Sequence, residues 1–314
     1  MFELSVDNKR RVFSPLTRGD VLCESFYRGR CGKLSFGAVG GGAGEDFEIR
    51  EGDSVGLKAN GTGLFFGIVF SKKTYGDGVV SLTAYDQLRY LKNRDTYVYG
   101  GKKASDVVKM IAGDYLLRTG EISETEYVIP SRVEDNATLL DIIENALDLE
   151  KEHKGKRYAL FDDFGKLSLK SEAEMFSRVV VDDCSAADFR CFSSADNRFN
   201  RVKLFRADKK TGKREIFVAE NEKSVESLGV LQYYAKIGDG ENGGEKARSI
   251  LALRDRTEQT LYIENALGDA GVRGGSSVTV RVRGFDETAR VRKCVHKLSG
   301  RGHFMDLELE MFYV

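Results

Sequence analysis

Residues 52–61 read GDSVGLKANG and residues 275–284 read GSSVTVRVRG. The two segments align without a gap, Gly52 on Gly275, Ser54 on Ser277, Val55 on Val278 and Gly61 on Gly284. The next turns, Asp77-Gly78 and Arg301-Gly302, fall 25 and 26 residues after the leading glycines, and each is followed by an alternating strand, 79–85 and 303–310. A chain that repeats turn, strand, turn and strand at one spacing is expected to hold two related β-barrels. The eight aligned residues are the expected structural repeat motif.

Outward from the first copy, Val55 to Ala59 and Leu64 to Phe70 flank Asn60-Gly61, the strongest short hairpin signal, because both turn positions need positive φ. A second hairpin is expected at Asp77-Gly78, where Val80, Leu82 and Ala84 alternate with Ser81, Thr83 and Tyr85. The period then changes to helical. Ala104, Val107, Val108, Ile111, Ala112 and Tyr115 share a face, and Gly120 stands as the expected helix end. Leu139, Ile142, Ile143, Ala146 and Leu147 form a second stripe, with Asp135, Asn136 or Thr138 available to cap it. Residues 157–161 and 166–170 flank Asp162-Asp163-Phe164-Gly165 as a hairpin. From about 198 strands return, around a Lys209 to Lys213 turn and two short helices, Asn221 to Leu228 and Glu245 to Arg254. The expected fold is mainly β with an α+β insertion: an N-terminal β-barrel over 1–92, a small α+β domain over 93–197, and a C-terminal β-barrel with short helices over 198–314.

The 314 residues suit two or three such domains. Lys+Arg and Asp+Glu both total 49, so the net charge of +0 gives no long-range attraction toward nucleic acid or anionic lipid. Two prolines against 34 glycines mean that glycine makes the turns. A hydrophobic content of 41% argues against disorder. The N-terminus lacks a signal-peptide core, and the most apolar run, Gly63 to Phe70, is too short to cross a membrane as a helix. A cytosolic protein is expected. The five cysteines, Cys23, Cys31, Cys184, Cys191 and Cys294, contain no C-x-x-C pair and are expected to be buried free thiols rather than disulfides or zinc ligands.

Motifs with chemistry resolve into structure. Gly52-Asp53-Ser54-Val55-Gly56 matches G-x-S-x-G, but a hairpin follows where a nucleophile elbow needs a helix. Asp163-Phe164-Gly165 lacks the companion kinase motifs and reads as a turn. Gly29 to Lys33 and Gly37 to Gly44 fit neither phosphate-binding pattern, and the second is expected to be a mobile loop. His153, His296 and His303 have no further ligands placed beside them, and Asp162-Asp163 and Asp182-Asp183 read as solvated turns. No catalytic residue, metal or cofactor is expected. One wall does read as cationic. Arg281 and Arg283 oppose Val278, Val280 and Val282, and Arg290 and Arg292 follow on the next strand, so these arginines form a candidate partner face. Without interleaved aromatics, a solvated wall is favoured over a nucleic-acid surface.

Taken together, SLTAYDQLRYLKNRDTYVYGGKKASDVVKMIA, VEDNATLLDIIENALDLEKEHKGKRYALFDDFGKLSL, GVLQYYAKI and YIENALGDAGVRGGSSVTVRV resemble the XkdQ/YqbQ-like baseplate hub proteins of contractile phage tails, defective prophages and phage-tail-like bacteriocins. The similarity runs from about Gly52 to Glu310 and carries no catalytic signature. It implies a structural hub: a homotrimer whose paired barrels form a pseudohexameric ring, joining a sixfold tail tube to a threefold spike and passing tape measure and cargo through its lumen. The implied partners are the chain itself, tail tube, spike, tape-measure and other baseplate proteins, with nucleic acid only as passing cargo and no membrane. The implied location is the bacterial cytoplasm during assembly and then the particle. Because barrels and insertion use the whole chain, any wall-degrading enzyme is expected to be separate. The alternatives are a tail-tip hub domain of a non-contractile phage, against which the end at Val314 is taken to argue, and a cell-wall-cleaving tail enzyme, against which the absence of Trp argues.

Overall fold

The computed structural model describes residues 1–39, 47–207, 213–238, 242–282 and 285–311. The chain forms two compact units, Met1–Arg190 with Leu261–Val314, and Cys191–Thr260.

The first unit begins with β1 (Phe2–Asp7), β2 (Val12–Phe13), β3 (Thr17–Phe26), β4 (Lys33–Val39), β5 (Ser54–Ala59), β6 (Thr62–Thr74) and β7 (Val79–Tyr85). Asn60 and Gly61 take φ of 50° and 82°, the left-handed pair that a two-residue hairpin requires. On β7, Val80, Leu82 and Ala84 are buried as the alternation predicts. They meet Leu4, Val6, Leu34, Phe36, Val55 and Leu57 in one core. Gly37 to Val39 lie in β4, not in a loop, and an added Cβ at Gly37 would stand 2.7 Å from the Arg18 carbonyl oxygen. The rest of the Gly37 to Gly44 run lies outside the described residues.

The insertion comprises β8 (Arg94–Tyr99), α1 (Ala104–Asp114), β9 (Thr119–Ile122), β10 (Arg132–Thr138), α2 (Leu139–Lys154), β11 (Tyr158–Asp162) and β12 (Leu167–Ser171). Val107, Val108 and Ile111 of α1 pack with Leu139, Ile142 and Ile143 of α2, all fully buried. Thr138 caps α2 by accepting the Asp141 N–H at 3.1 Å, and Gly155 ends it at φ 70°. The end expected for α1 at Gly120 is corrected. Leu116 takes the left-handed conformation at φ 54° and Leu117 N–H closes on the Ala112 carbonyl, so Gly120 is free to join β9.

Two further strands, β13 (Phe176–Asp182) and β14 (Asp188–Ser194), follow. The second unit then holds β15 (Arg201–Ala207), β16 (Arg214–Glu220), α3 (Glu222–Leu228), β17 (Gln232–Lys236) and α4 (Gly243–Arg254). Its sheet runs β16-β15-β17, with Val202, Leu204, Ile237 and Ala247 in the core and α4 on β15 and β16. Asn221 and Asn242 cap the helices through the Ser224 and Glu245 amides. Most of the expected Lys209 to Lys213 turn lies outside the described residues.

The chain ends with β18 (Glu258–Leu267), β19 (Ser277–Val282), β20 (Phe285–Ser299) and β21 (Gly302–Met311). One 13-stranded sheet runs β14-β18-β21-β20-β3-β4-β7-β6-β5-β1-β2, with β13 attached through β19. The protein is therefore mainly β with an α+β insertion. Within this sheet β3-β4-β7-β6-β5-β1 and β14-β18-β21-β20-β19-β13 repeat one strand order in one chain order. They form two sheet lobes around separate cores. The second lobe thus starts with strands at 176–194, inside the expected middle segment, and residues 201–254 build their own small sheet instead of lobe strands.

The likeness extends to single hydrogen bonds. Gly52 N–H donates to the Val69 carbonyl and Val69 N–H to the Asp53 carbonyl, while Gly275, Val291 and Ser276 make the same two bonds. Ser54↔Ile68 and Val55↔Gly67 match Ser277↔Arg290 and Val278↔Ala289 in register. Both long strands carry a bulge at the same place, between Val69 and Ser71 and between Val291 and Lys293. The lobes differ in one direction: β1 runs antiparallel to β5, whereas β13 runs parallel to β19.

The paired glycines separate backbone from packing. Gly52 and Gly275 have φ of 90° and 94°, but an added Cβ meets nothing within 4 Å at Gly52 and stands 2.7 Å from Ala159 Cβ at Gly275. Gly52→Ala is expected to lower stability by about 1–2 kcal/mol for the left-handed backbone alone. Gly275→Ala should cost about 1–3 kcal/mol more for the clash, read from denaturant midpoints. Equal losses would show that Ala159 moves away freely.

Candidate functional site

The site is the junction where the two lobes meet, and it starts from the repeated turn. Asp53 is buried, and its carboxylate accepts the Arg50 N–H at 2.7 Å. In the second copy Ser276 Oγ accepts the Arg273 N–H at 3.1 Å. Ser54 and Ser277 open β5 and β19, and Val55 and Val278 are fully buried below them. Gly61 completes the first hairpin, and Gly284 lies outside the described residues. None of the described motif residues is arranged for chemistry. They aim the strands that carry the lobe cores.

The lobes join through β3 and β20, paired antiparallel from Lys293↔Phe26 to Leu298↔Val21. Lys293 Nζ reaches Glu24 across this seam at 2.8 Å. Burial would raise the Glu24 carboxyl, but the bonds and charges of Lys293 and Lys33 hold it below the ordinary carboxylate range. The second repeated turn docks against the end of β3. Gly274 N–H donates to Ser25 Oγ at 3.0 Å, and an added Cβ on Gly274 would stand 2.2 Å from the Phe26 carbonyl carbon.

Two arginines and a hairpin tip bind the insertion to this junction. Arg273 donates to the Asp162 carbonyl at 3.1 Å and lies over the Phe161 ring. Arg290 is only 1% exposed, bonds Glu172 and Glu310, and lies over the Tyr27 ring. At the tip of β11 and β12, Phe164 and Gly165 take φ of 50° and 89°, and Phe164 covers Gly63 of β6 so closely that an added Cβ there would stand 2.5 Å from its ring. The Asp-Phe-Gly triplet is thus a turn that seats the insertion on the first lobe.

Between these contacts lies a cavity of about 40 Å³, lined in part by Cys23, Asp86, Asp162, Arg273 and His296. That is room for an internal water. Asp86 accepts the Gly32 and Leu88 amides, and burial with the nearby Asp162 charge pushes its carboxyl well up. Asp162 Oδ1 accepts the Gly165 N–H at 2.7 Å while its buried Oδ2 has no partner, and burial pushes this carboxyl up to about 6. His296 and His303, brought together by the last hairpin, approach to 2.9 Å, and His296 Nε2 meets the Val272 carbonyl at 2.9 Å. Burial, with the His303 charge second, takes His296 down to about 4. Among the described residues no group of three or more His, Cys, Asp or Glu side chains is placed to hold a metal ion. The histidines make a structural contact.

The cationic wall resolves into pairs. Arg281 is exposed but faces Asp286 across the hairpin at 3.1 Å, and Arg292 is half exposed with Glu308 at 3.8 Å. Arg283 lies outside the described residues. Arg290 is corrected from an outer-face residue to a buried one, because Tyr27, Glu172 and Glu310 close over it. The cysteines are all free. Cys23, Cys31 and Cys294 are buried, but Cys184 and Cys191 are exposed, contrary to the expected burial: Cys184 lies in the turn between β13 and β14, and Cys191 lies on β14, which ends the sheet path. Sequence reasoning missed the seam, Arg273 and Asp162. For Arg290 no local signal existed: Ala289 and Val291 flank it as β-alternation would flank an outward arginine, yet all three are buried.

The YQBQ-like family matches residues 23–310. The chain is 29% identical over 271 residues to protein YqbQ of Bacillus subtilis (strain 168), covering 84% of this chain and 82% of the relative. It is 30% identical over 272 residues to the phage-like element PBSX protein XkdQ of the same strain, with the same 84% and 82% coverage. Among solved structures, the prophage MuSo2 43 kDa tail protein from Shewanella oneidensis superposes with a TM-score of 0.71 at 11% identity, over 98% of each chain. The tail protein from Neisseria meningitidis MC58 gives 0.72 at 15% identity, over 98% of this chain and 96% of that one. The E. coli c3393 protein, a component of the type VI secretion system, gives 0.58 at 8% identity, over 99% and 77%. At these identities the structural likeness is one of fold.

The Asp162 carboxyl sets a pH signature. Its folded value of about 6 exceeds the ordinary 3.8, so its contribution to stability is fully present below about 3.8 and is lost as pH rises through 6. Asp162→Asn keeps an oxygen for the Gly165 N–H and removes the buried charge. The variant should match the parent near pH 4 and exceed it at pH 8 by on the order of 2 kcal/mol, measured as the difference of the two stability–pH curves. A flat difference would mean that Asp162 is solvated.

Proposed function

The chain belongs to the YQBQ-like family, and on that premise we propose that it is a structural baseplate hub of a contractile phage-tail-like particle. Three copies associate as a homotrimer, each giving two lobes of like construction to one ring. Six lobes then approximate a hexagon, so that a ring with threefold chemistry meets a sixfold tail tube on one side and a threefold spike on the other. The observation that carries this reading is the repetition of turn bonds, hairpin register and bulge in the two lobes. Equivalent backbones present equivalent surfaces, which is the condition for quasi-equivalent contacts around a ring.

The fold shared with a prophage tail protein from Shewanella oneidensis, a tail protein from Neisseria meningitidis and a secretion-system component supports the same role. So does the 30% identity to a protein of the phage-like element PBSX. The two lobes serve as ring-forming barrel domains, and the insertion and the Cys191–Thr260 unit serve as contacts to spike, tape-measure and other baseplate proteins. The work is mechanical: the ring holds its neighbours and leaves a lumen for tape measure and cargo. No covalent step is needed, and the junction's buried acids, arginines and histidines are used in folding. Assembly takes place in the bacterial cytoplasm, before the hub enters the particle.

Light scattering over a concentration series should show the mass climbing toward three times that of the chain. A strict monomer that also fails to trimerise with its spike or tube would reject the ring. In a zymogram on cell-wall material the purified chain should leave no clearing. A clearing that survives repurification would move the reading to a tail enzyme.

A further inference from the structure

The two lobes are alike in their backbones but not in what covers their edges. In the second lobe, pairing of β20 with β19 ends at Ser277↔Arg290, and beyond the bulge residues 293–298 are paired on that side by β3. In the first lobe, pairing of β6 with β5 ends at the equivalent Ser54↔Ile68. Beyond its bulge, Ser71 to Thr74 pair β7 on one side and no described strand on the other. Cys294 and His296 are 0% and 2% exposed under β3, whereas at the equivalent positions Thr74 is exposed and Lys72 is half-buried beside Glu48 at 3.3 Å. The converse holds for the covering strand. In the first lobe β3 pairs β4 on one side and β20 on the other, but its counterpart β14 pairs β18 and ends the sheet path. Arg190, Cys191, Phe192 and Ser193 of β14 are exposed, and Phe192, an aromatic residue, is 56% exposed. Among the described strands, one half of the seam thus stands at each end of the double lobe without a pairing strand.

Resting on the ring reading above, we infer that β14 of one chain pairs with the Ser71–Thr74 stretch of β6 of a second copy, repeating between chains the seam that β3 and β20 make within one. The occupant is a second copy because the needed surface already has a working example inside this chain. The two edges are different surfaces of one molecule, so the association is head-to-tail, and such contacts close into a ring when the rotation repeats. Among the described residues neither Ser71–Thr74 nor 190–193 has a strand pairing it on this side, and such edges invite uncontrolled association. The exposed Lys73 on the β6 edge discourages pairing with unselected strands.

The exposed Cys191 supplies the test. In the full chain carrying Cys184→Ser, Ser71, Lys72, Lys73 and Thr74 are changed to cysteine one at a time. Each variant is oxidised and run on a non-reducing gel beside a native mass measurement. Opposed residues of an antiparallel pair lie about 4.5–5.5 Å apart at Cα, within the disulfide range. Successive residues point to opposite faces and the next residue on the same face is about 7–8 Å away diagonally, so an intermolecular disulfide should form chiefly at the one position opposite Cys191, at least about fivefold above the others. It should vanish with Cys191→Ser. In the unmodified chain, amide exchange at 71–74 and 188–194 should slow about tenfold or more on assembly, a reading that no failed variant can obscure. Trimers that form without crosslinks at any position and without this protection would overturn the strand pairing and leave the ring standing. A monomer at every concentration would overturn the ring, and the pairing with it.

Discussion

The antiparallel pairing of β3 with β20 is the constraint on which the large unit depends. It joins the first lobe to a strand near the end of the chain. Closing so long a loop costs entropy before any contact returns it, and folds dominated by such contacts form slowly. Once made, the seam places Gly274 on Phe26, Arg273 over Phe161 and Arg290 over Tyr27 together. The grip of Arg273 and Arg290 on the insertion therefore depends on the lobes having met, whereas the seat of Phe164 on Gly63 lies within the first lobe and does not.

The repeat shows which parts of a β-lobe are interchangeable. The left-handed glycine, the two turn bonds and the bulge are retained, because each is set by backbone geometry. Side chains above that backbone have taken different work. At the position opposite the first serine of the hairpin, one lobe has Ile68 and the other has Arg290, which gathers Glu172, Glu310 and Tyr27. The turn arginines diverge too. Arg50 bonds exposed Glu48 nearby, whereas Arg273 reaches into the insertion. The frame is repeated while the side chains on it differ, and both lobes hold the insertion, the first through Gly63 under Phe164 and the second through Arg273 and Arg290.

Much of the local structure was legible in the sequence. Asn60-Gly61, the alternation of Val80, Leu82 and Ala84, the stripes of α1 and α2, and a cap at Thr138, one of three candidates, all fold as their patterns imply, since each is decided by residues within a few positions of one another. The repeat itself was visible because turns keep their glycines. Gly120 misled because Leu116 could take the left-handed position first. Cys184 and Cys191 misled because cysteine is usually buried, and nothing local says that β14 is an edge. The seat of the candidate site was the least visible part: Asp162, Arg273 and Arg290 are distant in sequence and ordinary in context.

By itself, then, the sequence determined the kinds of element, their order, the doubled hairpin and the absence of a strong charge bias. Tertiary structure alone decided that β13 and β14 belong to the second lobe, that residues 201–254 build a separate sheet, and that β3 meets β20. The reason is physical. Every strand offers the same row of amides and carbonyls, so a strand's partner is not written in its own residues but settled by which pairing buries the most apolar surface and leaves the fewest polar groups unmatched.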